Sequence, residues 1–392
     1  MAYTNIDRPQ DYFVTTTWSG NNVDGRTISN GEFKPDFLWM FHRNIAGSCP
    51  GVVYNSTIGA GTDSSSFGGN ANGKYNALFT PYNYELANGD FYRYGYLSGL
   101  TSTGFTCAAG NDPSGYQNYR HNQTGYNYVA WQWKANGGTT TSKSSITHSS
   151  TNVTTPCIQQ VNTTSGISIL TYTASSSYAG SETHLEHGLG VGPKVVMVKS
   201  LDAYGNWAVY HAENGGSPNA GYSYNLLNSN AATAQSSPTN KYWLNTPKES
   251  DSELIALGSG DDTGANGTNY VAYCFAEKQG YSKFGKYIGN GSTNGPFVYT
   301  GFKPALIITK NADATDSWNL LDNKRSPYNV ADKYLQADNA NAEGTYTFYD
   351  ILSNGFKIRN TGNANISGNT ITYMAFAENP FVTSTGIPTT AR

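Results

Sequence analysis

The chain has 392 residues, of which 43 are Gly and 30 are Tyr, while only 13% are charged. The net charge is −3 and no basic run exceeds two residues, which excludes a phosphate-neutralising surface, so no nucleic-acid partner is expected. An aromatic fraction of 14% argues against intrinsic disorder. Tyr, Thr, Val and Phe favour strands, and Gly and Asn favour tight turns, so the composition predicts an all-β protein with little helix.

The first twenty residues lack the basic and apolar segments of a secretory signal. No apolar run approaches the roughly 18 residues that span a bilayer, so we expect synthesis in a cytosol without membrane insertion. The four cysteines are Cys49, Cys107, Cys157 and Cys274, which lie far apart and form no CxxC pair. This spacing favours free buried thiols over a disulfide framework or a metal site.

Three segments of the chain repeat one order of predicted strands. Each opens with an aromatic strand, continues through a proline that starts an apolar strand, and closes with an aromatic strand. Unit 1 spans residues 1–136, with these strands at 14–18, 35–41 and 128–133. Residues 137–166 follow as a polar, Gly- and Thr-rich linker, expected to be flexible, in which 154–160 form either an extra strand or an ordered connection.

Units 2 and 3 repeat the pattern and add a tryptophan fourteen residues after the proline. Unit 2 spans residues 167–279, with Pro193 and Trp207. Unit 3 spans residues 280–392, with Pro304, Trp318 and a short polar tail. The link between them is short, which predicts a fixed angle.

Each unit combines many short strands with frequent turn signals. This pattern predicts three tandem antiparallel β-sandwich units of jelly-roll or lectin-like type. The first and last strands of a unit are expected to be neighbours in one sheet. Aromatic residues at repeated strand positions are assigned to the core: Tyr128, Trp207, Tyr270, Trp318 and Tyr373.

Several motifs resemble a known family. They include Arg8-Pro9, His187-Gly188-Leu189-Gly190, and the run from Ala272 to Pro304 that contains Gly-Tyr-Ser-Lys-Phe-Gly and Gly-Pro-Phe-Val-Tyr-Thr-Gly-Phe-Lys-Pro. Over residues 8–381 the chain resembles a repeat domain of uncharacterised function found in tail-fibre, appendage and other virion structural proteins of marine bacteriophages. The resemblance implies a virion surface location and supplies no catalytic residues. The chain has no coiled-coil heptads and no shaft, which favours one module of an appendage or a decorating subunit.

No motif for catalysis or for a cofactor survives inspection. HExxH and GxSxG are absent. Gly68 to Lys74 has P-loop spacing, but Tyr75 stands where Ser or Thr is required. A glycosidase would need two facing carboxylates, and no pair stands out. We therefore expect no enzyme and no cofactor, and a polysaccharide-degrading enzyme is the least favoured alternative.

Two groups of polar residues were weighed as metal sites. His184 and His187 lie near Glu182 and Glu186, but residues three apart on a strand face opposite sides, so a polar turn explains them better. The Asp261-Asp262 pair lacks the spacing of a calcium-binding loop and is interpreted as a solvated turn. No metal is expected.

The loop tyrosines Tyr82, Tyr84 and Tyr116 are the candidate contacts for a ligand or partner, because Tyr offers a flat apolar face and a polar tip. The favoured hypothesis is a phage appendage that binds a host-surface glycan or receptor. The alternative is a capsid or tail decoration protein acting through protein–protein contacts. In both cases the expected partners are other virion proteins, and a homo-oligomer is expected by analogy with tail appendages.

Overall fold

The computed structural model describes residues 3–45, 50–59, 74–86, 89–146, 154–175, 183–214, 223–235, 242–243 and 252–389. The fold is all-β with antiparallel sheets, as predicted. In these ranges helix is limited to 3-10 turns at Pro9–Asp11, Gly89–Tyr94 and Asn363–Asn365. None of the described helical segments has the length and hydropathy to cross a bilayer.

Unit 1 is a sandwich of a five-stranded sheet, in the order β1-β8-β3-β4-β5, and a three-stranded sheet, β2-β7-β6. Trp18, Leu38 and Phe105 lie in the core between the two sheets. The strands of unit 1 are β1 (Phe13–Ser19), β2 (Arg26–Ser29), β3 (Phe37–His42), β4 (Val52–Asn55), β5 (Leu78–Phe79), β6 (Tyr96–Thr101), β7 (Gly104–Ala108) and β8 (Asn127–Trp133).

Unit 2 pairs an eight-stranded sheet, β16-β15-β14-β13-β18-β11-β10-β9, with the two-stranded sheet β12-β17. Its strands are β9 (Thr141–Lys143), β10 (Cys157–Asn162), β11 (Ile167–Thr173), β12 (Thr183–Glu186), β13 (Val195–Ser200), β14 (Ala208–His211), β15 (Ser223–Leu226), β16 (Ala234–Gln235), β17 (Leu254–Leu257) and β18 (Asn269–Phe275). Of the two alternatives for 154–160 in the expected linker at 137–166, the extra strand is confirmed as β10, and β9 is a second strand in that segment that was not expected. β10 buries Cys157 and Gln159 while it covers the edge of β11.

Unit 3 is a single eight-stranded sheet, β19-β26-β21-β22-β23-β24-β25-β20, which curls into a near-barrel. Phe302, Phe348 and Phe356 fill its interior. Its strands are β19 (Ser282–Ile288), β20 (Phe297–Tyr299), β21 (Phe302–Asn311), β22 (Asn319–Asp322), β23 (Ala331–Gln336), β24 (Gly344–Leu352), β25 (Gly355–Ile358) and β26 (Thr370–Pro380).

All three units contain the same run of four neighbouring strands: β1-β8-β3-β4, β11-β18-β13-β14 and β19-β26-β21-β22. The predicted opening strand of each unit, which is β1, β11 or β19, therefore lies beside its closing strand, as predicted. The registers make Trp133, Phe275 and Phe376 equivalent, since each lies opposite the first residue of its unit's opening strand.

Tyr373 was expected to occupy the position of Tyr128 and Tyr270 in its closing strand. The pairing places it two residues away from that position, although its burial is confirmed. Tyr128 lies opposite Trp18 and Tyr270 lies opposite Tyr172, whereas the matching position in unit 3, opposite Tyr287, is Ile371. The remaining core assignments, which were Tyr128, Trp207, Tyr270 and Trp318, are all buried.

The three four-stranded runs pack on one another around a shared core that contains residues of every unit. At its centre the equivalent rings form a triangle, with centroid separations of 6.3 Å for Trp133–Phe275, 5.2 Å for Trp133–Phe376 and 5.9 Å for Phe275–Phe376. The arrangement is a pseudo-threefold ring. Both faces of these strands are buried, one by the shared core and one by the unit's own core, which explains their continuous apolar sequences.

Two of the seams between units are closed by equivalent tryptophans. The Trp207 indole N–H of unit 2 donates to the Phe79 carbonyl of unit 1 at 2.7 Å. The Trp318 indole N–H of unit 3 donates to the Leu226 carbonyl of unit 2 at 2.9 Å. Gly51 holds the equivalent position in unit 1, and the Phe41 ring lies where its side chain would be.

A charge network closes the third seam, between units 1 and 3. The guanidinium of Arg43 donates to both carboxylate oxygens of Glu343, at 2.9 and 2.8 Å. Arg325 donates to Glu343 at 3.2 Å and to Asp322 at 2.5 Å, and the Arg325 and Asp322 side chains are fully buried. The Trp131 indole N–H donates to Asp322 at 3.1 Å.

An N-terminal arm joins unit 1 to unit 3 and to the last residue of unit 2. The Tyr3 hydroxyl donates to the Gly301 carbonyl at 2.7 Å, and the Thr4 hydroxyl donates to the Gln279 carbonyl at 2.7 Å. The Tyr3 ring also lies 6.3 Å from the Phe381 ring. Residues near the start and the end of the described chain are therefore neighbours.

Candidate functional site

Two of the candidate tyrosines meet a third across the seam between units 1 and 2. The Tyr82 and Tyr84 ring centroids are 5.0 Å apart, and the Tyr84 ring meets Tyr204 edge-on at 5.9 Å. Tyr84 is 48% exposed and Tyr204 is 66% exposed, while Tyr82 is half-buried. We call Tyr82, Tyr84 and Tyr204 the tyrosine platform.

Backbone hydrogen bonds hold the two loops of the platform together. Gly205 N donates to Asn83 O at 2.9 Å, and Leu86 N donates to Leu201 O at 3.1 Å. The Tyr82 ring also lies 6.2 Å from the Phe79 ring of strand β5. The platform is thus two loops fixed to each other and to a rigid sandwich, which is a common way to display a binding surface.

Asp262 holds the unit 2 loop of the platform through Asn206, which lies two residues after Tyr204. Asp262 is buried and accepts hydrogen bonds from the Asn206 side chain at 3.0 Å and from the Tyr242 hydroxyl at 2.7 Å. The prediction that Asp262 lies in a solvated turn is therefore wrong. Its carboxylate is buried and accepts hydrogen bonds from protein groups instead of from water. Burial raises the pKa of Tyr242 well above its usual value, so the phenol stays protonated and donates.

Lys199 lies near Asp262 and is fully buried. Its ammonium donates to the Ser200 carbonyl at 3.1 Å. Burial lowers the pKa of Lys199 to about 8, while Asp262 and Glu85 act in the opposite direction. The amine is therefore enclosed in the protein and held by a main-chain carbonyl.

The third candidate, Tyr116, belongs to a different aromatic group. It is 46% exposed and meets Tyr119 edge-on at 5.7 Å. The rings of Tyr119 and Tyr126 lie 5.6 and 4.9 Å from the buried His42. Burial lowers the pKa of His42 to about 4, so this group is neutral at physiological pH.

The positions weighed for nucleotide or metal binding have structural partners where they are described. The Lys74 ammonium lies 5.2 Å from the Tyr92 ring and 4.9 Å from the Tyr96 ring, while residues 68–73 lie outside the described ranges. His187 accepts a hydrogen bond from Leu189 N at 3.2 Å. Within the described ranges no three His, Cys, Asp or Glu side chains are grouped to hold a metal ion. Glu182 lies outside those ranges.

The prediction of free, buried thiols is confirmed for the three cysteines that the structure describes. Cys107, Cys157 and Cys274 are free and buried, and Cys49 lies outside the described ranges. Burial raises the thiol pKa to about 12 for Cys107 and about 11 for Cys157, which keeps both thiols protonated and unreactive.

Sequence reasoning missed Tyr204, the most exposed member of the platform. The signal was present, because Tyr204 stands in Asp-Ala-Tyr-Gly-Asn, where Asp, Gly and Asn are turn formers. A lone Tyr between such residues indicates a loop tip, but only the fold brings it against Tyr84.

Comparison with protein families gives a match over most of the chain. The family described as a domain of unknown function (DUF7483) matches residues 82–380. The match runs from the platform's first tyrosine through units 2 and 3, so the family domain crosses the boundary between units 1 and 2. No curated protein and no solved structure matches the chain.

Proposed function

The chain belongs to the DUF7483 family, and we propose that it is a non-enzymatic virion surface protein that binds a host-surface glycan through the tyrosine platform. The observation that carries the proposal is the pair of exposed, edge-to-face rings of Tyr84 and Tyr204 on loops fixed across a seam. Flat aromatic faces with polar tips suit the apolar faces and hydroxyls of sugar rings.

Two further features support recognition without catalysis. The platform is preorganised by backbone bonds, so binding a ligand costs little loop ordering. Of the titratable groups around it, Lys199 and Asp262 are buried and already hydrogen-bonded within the protein, Glu85 is half-buried, and the exposed Asp202 carboxylate accepts a hydrogen bond from Asn269. The virion location is supported by the resemblance of the repeat motifs to phage structural proteins.

The test of the ligand is glycan-array screening of the purified full chain, followed by titration of any hit. Tyr84→Ala and Tyr204→Ala should each weaken binding by roughly tenfold, since one stacked ring contributes about 1–2 kcal/mol. Tyr328→Ala is the matched control, because Tyr328 is also an exposed loop tyrosine but lies in unit 3. Binding that survives both platform substitutions, or that Tyr328→Ala reduces equally, contradicts the platform.

Immunogold labelling of virions with antibody to the chain tests the location. Label at the tail tip or fibres supports an appendage. Label over the head favours the second candidate, a decoration protein. The outward rings of Phe297 and Tyr299 on the terminal strand β20 favour that candidate, because an exposed aromatic edge suits protein contact.

A further inference from the structure

The opening strand β1 leaves one edge without a partner. Lys134 N donates to Tyr12 O, and Gly20 N donates to Tyr126 O, so even-numbered residues of β1 pair with β8. Antiparallel pairing alternates, which directs the main-chain N–H and C=O of Phe13, Thr15 and Thr17 away from the sheet. Within the described part of the chain, no hydrogen bond reaches these outward groups.

The equivalent edges of the other two units are covered. In unit 2, β10 pairs with residues Ile167 to Tyr172 of β11. In unit 3, Lys278 forms a bridge with Ser282, and the Glu277 carboxylate accepts from Phe284 N at 2.8 Å. The pseudo-threefold ring therefore contains one filled edge, one blocked edge and one open edge.

The open edge lies in a groove of about 370 Å³ between units 1 and 3. Its far wall is formed by Asn323, Lys324, Ala377 and Glu378 of unit 3. The groove is in the size range of ligand sites, and it is polar. The Thr15 hydroxyl in it is buried, at 5% exposure for the residue, and is without a hydrogen-bond partner among the described groups.

The residues of that wall match those around β10. By register, Asn323 and Lys324 follow β22 as Ser56 and Thr57 follow β4, and Glu378 corresponds to Ala135. In the filled site these positions hold β10 through its side chains. Gln160 donates to the Ser56 and Thr57 hydroxyls, each at 2.8 Å.

Asn162 of β10 completes the filled site, donating to the Ala135 carbonyl at 3.0 Å. In the open site, the Gln10 amide donates to the corresponding carbonyl of Glu378. Gln10 therefore makes the hydrogen bond in the open site that Asn162 makes in the filled site. No side chain of the described chain occupies the position that Gln160 holds in the filled site.

We propose that this groove binds an extended polypeptide strand of a partner protein, added antiparallel to β1. The strand carries an Asn- or Gln-like side chain opposite Thr15, which reaches Asn323 and Lys324 as Gln160 reaches Ser56 and Thr57. β10, the strand of this chain that fits such a site, is already paired with β11 on one edge and with β9 on the other, so the occupant is a segment of another protein. The inference does not depend on glycan binding by the platform.

The probe is a fluorescent peptide of residues 155–164 of this chain, with Cys157→Ser, titrated with the full chain by fluorescence anisotropy. We expect saturable binding with a Kd below about 1 mM, typical of a weak strand addition. In β10 the amides of Ile158, Gln160 and Asn162 face β11, whereas those of Gln159 and Val161 face away. N-methylation at Gln160 should therefore weaken binding at least about tenfold, and N-methylation at Val161 should not.

Two protein variants locate the site. Thr15→Pro removes an outward N–H, which an edge strand tolerates, and Asn323→Ala alters only the far wall. Each should weaken peptide binding while the thermal melt shows that the fold persists, and Asn323→Ala decides the matter if Thr15→Pro does not fold. Absence of binding at about 1 mM peptide, or binding indifferent to Asn323→Ala and to N-methylation, overturns the proposal. Self-association of the chain that Asn323→Ala abolishes would identify a second copy and overturn the assignment to another protein.

Discussion

Replacement of Trp318 by alanine tests the shared core most directly. The ring is 2% exposed and lines the small void at the centre of the ring of units, together with Phe37 and Met197. Three units thus contribute to one site, and the surrounding sheets cannot collapse into the space without moving each other. We expect Trp318→Ala to lower the free energy of unfolding by about 3–5 kcal/mol.

The indole N–H contributes the smaller part of this loss. Its acceptor, the Leu226 carbonyl, also accepts from Ser229 N at 3.2 Å, so losing the indole does not leave it unpaired. Trp318→Phe should therefore cost less than half as much as Trp318→Ala, with about 0.5–1.5 kcal/mol of it from the hydrogen bond.

Urea unfolding followed by circular dichroism measures both variants, with an unchanged m-value showing that the folded state remains intact. Tyr328→Ala is the control, since a ring that is 81% exposed should cost less than about 0.5 kcal/mol. A loss below about 1 kcal/mol for Trp318→Ala would refute the claim that the ring is part of a shared core.

Three other predictions follow from the fold. Calorimetry should show one cooperative transition for the whole chain, because the units share a core, and separate transitions would contradict this. Glu343→Gln should cost about 3–5 kcal/mol in the same urea assay, because it leaves Arg43 without its paired carboxylate and removes one of the two carboxylates paired with Arg325; a loss under about 1 kcal/mol would show that the network contributes little. Burial lowers the pKa of His211 from 6.5 to about 4, so its contribution to stability is full above pH 6.5 and is lost as the pH falls toward 4. His211→Gln should flatten this part of the stability–pH curve, and an unchanged slope would argue against a buried neutral imidazole.

The strands and their three-unit order were predictable from sequence because they depend on local patterns. Proline at a strand start, aromatic closing strands and turn residues between them are short-range signals. A continuous apolar run such as Phe37–His42 indicates a strand buried on both faces. Such a run does not show what packs against the second face of the strand. Here another unit packs against it, so the arrangement of the three units in a ring was not predictable.

The misassigned register of Tyr373 has a similar cause. A shift of two residues leaves a strand residue on the same face, because side chains alternate with a period of two. Tyr373 faces the core of unit 3 just as Ala130 and Ala272 face the cores of their units. A burial pattern therefore cannot detect a shift of two residues, and only the pairing with the neighbouring strands reveals it.

The platform was partly predictable. Tyr82 and Tyr84 form an obvious aromatic pair in a loop, but their meeting with Tyr204 depends on contacts more than a hundred residues apart. The open edge of β1 was not visible, since it is defined by what the other two units have and unit 1 lacks.

The arm that ties Tyr3 to Gly301 has a consequence for the order of the units along the chain. Since Tyr3 and Phe381 are in ring contact, a short loop could join the two ends of the described chain without disturbing any seam. The three units would then follow one another in a closed circle, and the backbone could be opened between any two of them. Circularly permuted genes that begin at unit 2 or at unit 3 should therefore encode the same architecture.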